Sequence, residues 1–284
     1  MTIPSRVIDD GGRDHGLART IAIHEARVHA GGRRELRETR HGLLLHDPAD
    51  AEPFWNRLVA PTFPDAAGPF DRDLAAAIVA FGALARYPHI RPVAAANQPA
   101  DLTARLLRAG FDVVGEDRAM VLRDPGPGGA LASGPTAHGV VVERVAPDSG
   151  DVTERVAEIA GALVEAFEVG AERRAGIERD ALATLLEPGV GFILVRVDGE
   201  LATVAKRTSR WDATYLSSIG TRPAFRGRGL GRLAVASAVA DALRGGAERV
   251  HLVVEADNGA AIKMYERLGF AVVGDPVPDL LLHG

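Results

Sequence analysis

The second half of the chain alternates short apolar runs with longer amphipathic ones in a regular order. Residues 139–145 read as a strand, 151–167 as a helix with one apolar stripe, and 178–186 as a second helix. Residues 190–197 and 201–207 are apolar runs separated by Asp198-Gly199, a pair that suits the positive φ of a tight hairpin turn. A further strand-like run, 214–221, leads through Arg222-Pro223-Ala224-Phe225 into Arg226-Gly227-Arg228-Gly229-Leu230-Gly231. Residues 232–243 hold helix formers and neither Gly nor Pro. Residues 249–255 alternate as a strand, and 258–268 read as a helix ending at Gly269-Phe270 before the apolar run 271–273. The resulting order, β-α-α-β-β-β-α-β-α-β, predicts an α/β domain with a mixed sheet.

The first half ends on a similar phrase. Asn97 through Leu106, Gly110-Phe111 and Val113-Val114-Gly115 echoes Asn258 through Tyr265, Gly269-Phe270 and Val272-Val273-Gly274. Helix, Gly-Phe and strand recurring at both ends predicts an internal duplication. Between the halves, residues 124–138 are rich in Pro, Gly, Ser and Ala and read as a linker. The expected division is therefore 1–123, the linker 124–138, and 139–284.

The glycine-rich hexapeptide carries the chemistry. A glycine turn that opens a helix leaves several backbone N–H groups unpaired and pointing one way. With the helix dipole added, this is a site for a phosphate or pyrophosphate. A phosphate-binding P-loop needs Lys-Ser/Thr after its last glycine, whereas Arg232-Leu233 follows here. A dinucleotide fingerprint belongs near the start of a βαβ unit, with an acid further on, and little chain remains for that. An Arg-Gly-Gly nucleic-acid segment would sit in low-complexity sequence, and this one does not.

The two segments together, Thr-x-Pro-x-x-Arg-Gly-x-Gly-x-Gly from Thr221 and Asn-x-x-Ala-x-x-x-Tyr-x-x-x-Gly-Phe from Asn258, resemble the GCN5-related N-acetyltransferase (GNAT) family. The resemblance spans about residues 215–274, and with the preceding strands it covers the C-terminal half. It implies a GNAT acetyltransferase fold, here as two tandem GNAT-like domains. The N-terminal copy is degenerate, since it lacks the glycine turn and has Leu106 where the second copy has Tyr265. It implies acetyl-CoA as cosubstrate, its pyrophosphate on the backbone of Gly227, Arg228, Gly229, Leu230, Gly231 and Arg232, with Arg226 and Arg228 adding charge. Ile219, Gly220 and Thr221 would lend main-chain groups to the pantetheine arm where the strand splays at a bulge. Asn258 would contact the coenzyme; it would also cap a helix in any fold.

The implied reaction is attack of an amine on the thioester. Tyr265 is the candidate acid, because a phenol stays protonated at neutral pH and can donate as the thiolate forms. Some relatives place a basic glutamate five residues before the Asn; that position is Val253 here, so the role does not carry over. Glu255, two residues on and on the same strand face, is the remaining candidate base. Glu165, Glu168 and Glu172 fall where acceptor-binding elements are expected. The expected acceptor is a small-molecule amine or a protein amino-terminus. A sensor that binds acyl-CoA without turnover, and transfer of a longer acyl group, are the alternatives.

Composition narrows this further. Hydrophobic residues make up 46% of the 284, enough to bury a sizeable core. The net charge of −5 gives no electrostatic footprint for nucleic acid. The chain has no cysteine, which excludes an acyl-cysteine intermediate and leaves direct transfer in a ternary complex. No metal is expected, since neither thiolates nor histidines fall at ligand spacing. No apolar run reaches the ~20 residues of a membrane span and the start lacks an apolar signal core, so cytoplasmic localisation is expected.

Overall fold

Both halves end in the same order of elements, β-β-β-α-β-α-β, within one sheet, and the second half begins with a further strand and helix. The computed structural model describes residues 10–31, 33–93, 97–134, 136–147 and 152–283. Residues 1–9, the start of the expected first domain, lie outside them, as do Pro135 in the expected linker and Asp151 at the start of the expected helix. The first half runs α1 (Asp10–His29), β1 (Glu35–Thr39), β2 (Gly42–His46) and β3 (Arg57–Val59). It continues with α2 (Ala67–Ala83), β4 (His89–Arg91), α3 (Leu102–Arg108) and β5 (Asp112–Leu122). Then come α4 (Gly126–Ser133), β6 (Val140–Val145), α5 (Val152–Ala166), α6 (Arg174–Leu185) and β7 (Val190–Val197). The second half closes with β8 (Glu200–Arg210), β9 (Ala213–Thr221), α7 (Leu230–Arg244), β10 (Arg249–Glu255), α8 (Gly259–Glu266) and β11 (Phe270–Leu281). The order expected for the second half is the order found.

Among the described residues, 11 strands lie as β1-β2-β3-β4-β11-β5-β10-β9-β8-β7-β6. Each half is an antiparallel meander followed by one parallel step, β3 to β4 through α2 and β9 to β10 through α7. A parallel neighbour needs such a helical crossover. The last strands are exchanged: β5 of the first half pairs with β10, and β11 of the second half pairs with β4. β5 and β11 also pair with each other along their lengths. The sheet is thus continuous from one half to the other.

Local sequence accounts for the turns. Asp198 (φ 51°) and Gly199 (φ 88°) both take positive φ between β7 and β8, as a type I′ hairpin turn requires. Gly110 (φ 92°) and Gly269 (φ 91°) make the same turn before β5 and β11. A Cβ on Gly269 would run into the Asp124 carbonyl oxygen. The tract read as a linker departs from expectation, because residues 126–133 form α4, with Leu131 and Ala132 packed on the core under α7. Burial against α7 outweighs the poor helix propensity of its glycines.

The α7 face of the sheet buries Val195, Leu216, Val239, Leu252 and Phe270, together with Met120 from the exchanged β5. The opposite face carries α5 and α6 over Phe192, Leu194 and Val204, and α1 over Val121 and Val273. Charges are buried there too. Glu25 of α1 accepts from Arg57 (3.0 Å) and Arg91 (3.2 Å), and Arg34 bridges Asp47 (3.1 Å) to Asp180 of α6 (2.7 Å). Breaking one partner of such a buried pair costs about 3–5 kcal/mol. Among the described residues no helix is long and apolar enough to cross a membrane.

Candidate active site

The site starts where β9 leaves β10. Their ladder runs from Arg249 opposite Ala213 to Leu252 opposite Leu216 and stops there. On its other edge β9 stays with β8, but with a bulge: Lys206 faces Ser217 and Val204 faces Gly220. Two residues, Ser218 and Ile219, thus answer one on β8, and Ser218 takes φ 47°. The extra residue bends β9 away, while β10 continues through Val253–Glu255 paired with β5 on its other edge. The main chain of Ile219, Gly220 and Thr221 is left facing the opening, and the expected bulge is found.

The glycine turn closes one side of that opening. A single turn of 3-10 helix, Pro223–Phe225, buries the Phe225 ring, and Gly227 (φ 76°) and Gly229 (φ 74°) then reverse the chain into α7. Gly229 is the N-cap, and no side chain caps the helix. Nothing lies within 4 Å of where a Cβ would stand on Gly227 or Gly229, so their positive φ is what calls for glycine. On Gly231 a Cβ would meet Thr221 Oγ1 at 3.3 Å and Met264 Sδ at 3.7 Å. Gly220 is closer still, its Cβ position being 2.8 Å from Ala166 Cβ at the end of α5.

A cavity of about 500 Å³ opens among Ile219, Thr221, Gly227, Gly229, Gly231 and Tyr265, with Arg226, Leu230 and Arg232 on its walls. Nine of the residues singled out from sequence therefore meet in one place. An uncapped helix start, two positive-φ glycines and a cavity of this size fit a pyrophosphate with its pantetheine arm. Arg226 is less free than expected. It donates to Glu168 (2.8 Å), to the Ala166 carbonyl (2.8 Å) and to the Thr221 carbonyl (3.2 Å), strapping the turn to α5. Arg228 lies over Phe225, 5.8 Å from the ring centre.

Tyr265 is buried, its ring edge-to-face with Phe270 at 6.0 Å, so it packs the core and lines the cavity at once. Burial pushes its phenol well above the ordinary tyrosine value, which keeps it protonated at neutral pH. Asn258 is exposed, and its side chain accepts from the Ala261 N–H at 3.1 Å; it caps α8 and does not line the cavity. Glu165 accepts from Arg222 (2.7 Å) and Glu168 from Arg226, so these two carboxylates hold arginines.

Glu255 does not join Tyr265. It is exposed at the end of β10 and lines a second cavity of about 930 Å³ with Glu116, Asp117, Asp257 and Asp279. Val253, two residues earlier, faces α1 and lines a small recess with Ile21, Glu25 and Asp117. Asp117 lines both of these cavities. It lies on exchanged β5 directly opposite Glu255, and Arg91 donates to it at 2.5 Å. Burial, helped by the carboxylates of Asp279 and Glu25, raises it to about 6 against the pull of Arg91.

The matching place in the first half, between the start of α2 and α3, opens on a cavity of about 390 Å³ with Arg105 on its wall. Arg105 of α3 donates to the Asp65 carbonyl (2.7 Å) and to Asp101 (2.8 Å), and lies 5.0 Å from the ring centre of Phe70. Leu106, in the position of Tyr265, is wholly buried. Among the described residues no cluster of three His, Cys, Asp or Glu is placed to hold a metal ion.

Comparison with known proteins agrees with this geometry. Residues 156–270 match the model of the acetyltransferase (GNAT) family. A mycothiol acetyltransferase of Streptomyces avermitilis is 30% identical over 152 residues, which are 53% of this chain and 49% of that one. The mycothiol acetyltransferases that the chain matches are spanned over no more than 49% of their own length. A GCN5-related N-acetyltransferase of Kribbella flavida superposes with a TM-score of 0.69 at 25% identity, covering 94% of this chain and 96% of that one. A tandem GNAT protein from the clavulanic acid biosynthesis pathway superposes with a TM-score of 0.61 at 16% identity, over 98% and 96% of the two chains, and shares the fold. A GNAT-family domain is thus matched at residues 156–270, and nearly the whole chain shares its fold with the Kribbella flavida protein.

Proposed function

We propose that the chain transfers an acetyl group from acetyl-CoA to a primary amine, by direct attack in a ternary complex built on the second half. One observation carries this reading: the uncapped start of α7, the free edge of β9 and Tyr265 line one cavity of about 500 Å³. The N–H groups from Gly227 to Arg232 hold the pyrophosphate, and the glycines let the backbone reach it. Ile219 to Thr221 bind the pantetheine amides as an added strand would. This sets the thioester near the bulge at Ser218. Tyr265 donates its phenolic proton to the sulfur as the C–S bond breaks, which is general-acid catalysis.

The absence of a glycine turn from the first half, and buried Leu106 in the place of Tyr265, support one working site per chain, with the first half in another role. The test is calorimetric titration with acetyl-CoA, alongside release of free thiol in the presence of spermidine, glucosamine, L-lysine and an N-terminal glycyl peptide. The protein contributes no thiol of its own to that assay. Binding with thiol release on one amine establishes the transferase. Binding with none on any amine favours an acyl-CoA sensor, a reading that Val253 in the β10 position lends some support.

A further inference from the structure

Resting on the transferase reading, we infer that the acceptor is a small α-amino acid, its carboxylate held by Lys206 in a cavity of about 130 Å³ beneath the β9 bulge.

This cavity reaches β9 at Ser218, one of the two residues of the bulge. Ile219, next in the chain, lines the coenzyme cavity on the α7 face of the sheet, whereas Ser218 lines this one on the face that carries α5 and α6. Two of its walls, Leu163 and Phe167, lie 3.6 and 3.5 Å from where a Cβ on Gly220 would stand. They therefore back the same strand segment that is proposed to bind the pantetheine arm. The ladder between β9 and β10 ends at Leu216, so the edge of β9 beyond it opens from one face of the sheet to the other. A thioester set in that splay is open to an amine arriving from the α5 side.

The groups on the wall select the ligand. Lys206 of β8 stands opposite Ser217, and only 9% of its side chain is exposed. Among the described residues its nearest carboxylate is that of Asp180, 3.7 Å from Nζ and too far for a hydrogen bond. Burial lowers the pKa of this ammonium against the pull of Asp180, as it does for a cation short of partners. The carboxylates around it are committed to arginines. Asp180 accepts from Arg34 at 2.7 Å, Asp50 from Arg173 at 3.4 and 3.5 Å, and Glu187 from Arg210. Trp55 is taken as well, since the Arg34 guanidinium lies 3.5 Å from its ring centre. A cationic ligand meets carboxylates that are already neutralised, whereas an anionic one meets an ammonium with donors to spare.

An α-amino acid suits both ends of the cavity. With its carboxylate on Lys206, its nitrogen stands two bonds from the carboxylate carbon, on the side of Ser218 and the thioester. Phe167 and Ile177 give its side chain an apolar wall. The atoms balance. The ammonium sheds two protons to solvent, and the nitrogen forms the C–N bond to the acetyl carbon as the C–S bond breaks. Tyr265 protonates the sulfur and is itself reprotonated from solvent, so the products are an N-acetyl amino acid and CoA. Asp50 and Trp55 come from the first half, as does the Arg34 that holds Asp180. The first half thereby completes the acceptor pocket of the second. No periodicity marks Lys206, because only folding brings Asp180 and Ser218 to it.

The test uses the full chain and three pairs of probes that differ by a carboxylate: glycine and methylamine, L-alanine and ethylamine, L-serine and ethanolamine. Thiol release from acetyl-CoA should favour each acid over its twin by about 10- to 100-fold in kcat/KM, the worth of a hydrogen bond between charged groups. Lys206→Met, which keeps the length of the side chain without its charge, should raise KM for the acids and bring each pair to within about threefold. Its acetyl-CoA Kd should stay within about twofold of wild type. A lysine with a structural role alone would lower both members of a pair alike. Calorimetric titration of the same probes into protein saturated with CoA reads the pocket without turnover and should rank them in the same order. An equal or inverted preference in the wild type, which needs no variant to fold, would overturn the inference and leave the transferase standing. A preference that survives in Lys206→Met would do the same. If neither these probes nor the four amines above release thiol, the titration decides. Acids bound no more tightly than their twins would then overturn both proposals, while tighter binding that is lost in Lys206→Met would keep the amino-acid site and overturn the transferase.

Discussion

Gly229→Glu separates the phosphate site from the fold that carries it. Gly229 takes φ 74°, a conformation that costs any other L-residue about 1–2 kcal/mol. Nothing lies within 4 Å of the position its Cβ would take, so no clash adds to that cost. The variant should fold with Tm lowered by a few degrees, at about 2–4 °C per kcal/mol for a domain of this size. Binding should suffer far more. A carboxylate about 4 Å from a phosphate, at the effective dielectric of a protein surface, is opposed by about 4 kcal/mol. Screening and side-chain movement reduce this to about 2–4 kcal/mol, or a loss of about 30- to 1,000-fold in Kd. Gly229→Ala carries the same backbone cost without the charge, so the two variants should share a Tm and differ in affinity. The assay is calorimetric titration with acetyl-CoA at low salt and again at about 1 M, where the Debye length is about 3 Å and the gap should narrow. If Gly229→Glu binds acetyl-CoA within about threefold of Gly229→Ala at low salt, the pyrophosphate does not lie on this turn.

Two further outcomes follow from burial. Tyr265→Phe keeps the ring against Phe270, so Tm and acetyl-CoA affinity should hold while kcat falls about 10²–10⁴-fold; undiminished kcat would reduce Tyr265 to a packing residue. Acid should destabilise the fold well above the carboxylate range, because burial lowers His29 to about 4 and His251 to about 3. The unfolded chain binds, below about pH 6.5, protons that these folded rings refuse, so stability is lost as pH falls. From pH 7 to 5 the two rings lose about 4 kcal/mol and Asp117, raised to about 6, returns about 1, for a net loss of about 2–3 kcal/mol. Thermal scans at the two pH values should show the fall, and a Tm that is level or higher at pH 5 would refute it.

The parts of the site legible in the sequence are those whose geometry is local. Asp198-Gly199 and Arg226 through Gly231 announce their turns because positive φ leaves few residues to choose from. Tyr265 was reachable because a short helix fixes its distance from Gly269. Glu255 depends on more than local geometry. Strand alternation puts it on the correct face, but only the exchange of strands reveals that Asp117 sits opposite it, partly sheltered where Glu255 is exposed. That pairing joins residues far apart in the chain, and no periodicity records it. Arg57, Arg91 and Glu25 mislead in the same way, because charged residues read as solvated surface, whereas here they satisfy one another inside. Gly126 through Gly129 has the composition of a linker, and it is helix because α7 offers a surface to cover.

The exchange also predicts that the second half does not stand alone. β5 separates β10 from β11, so a chain of residues 136–283 has a gap one strand wide where the Leu252–Met120 and Met120–Val272 pairs should be. It also loses Met120, wholly buried in the α7 core, and the arginines that partner Glu25 go with it. Closing the gap would require β11 to move sideways by one strand spacing, about 4.8 Å, and pull Phe270 from its place against Tyr265. The fragment should therefore show no cooperative thermal transition and no acetyl-CoA binding. Co-expression of residues 1–134 as a separate chain should restore both, because the sheet needs β5 in place rather than covalent continuity through the 124–138 tract. A monomeric 136–283 fragment that melts cooperatively and binds acetyl-CoA with wild-type affinity would show instead that the halves are independent and share a sheet only by proximity.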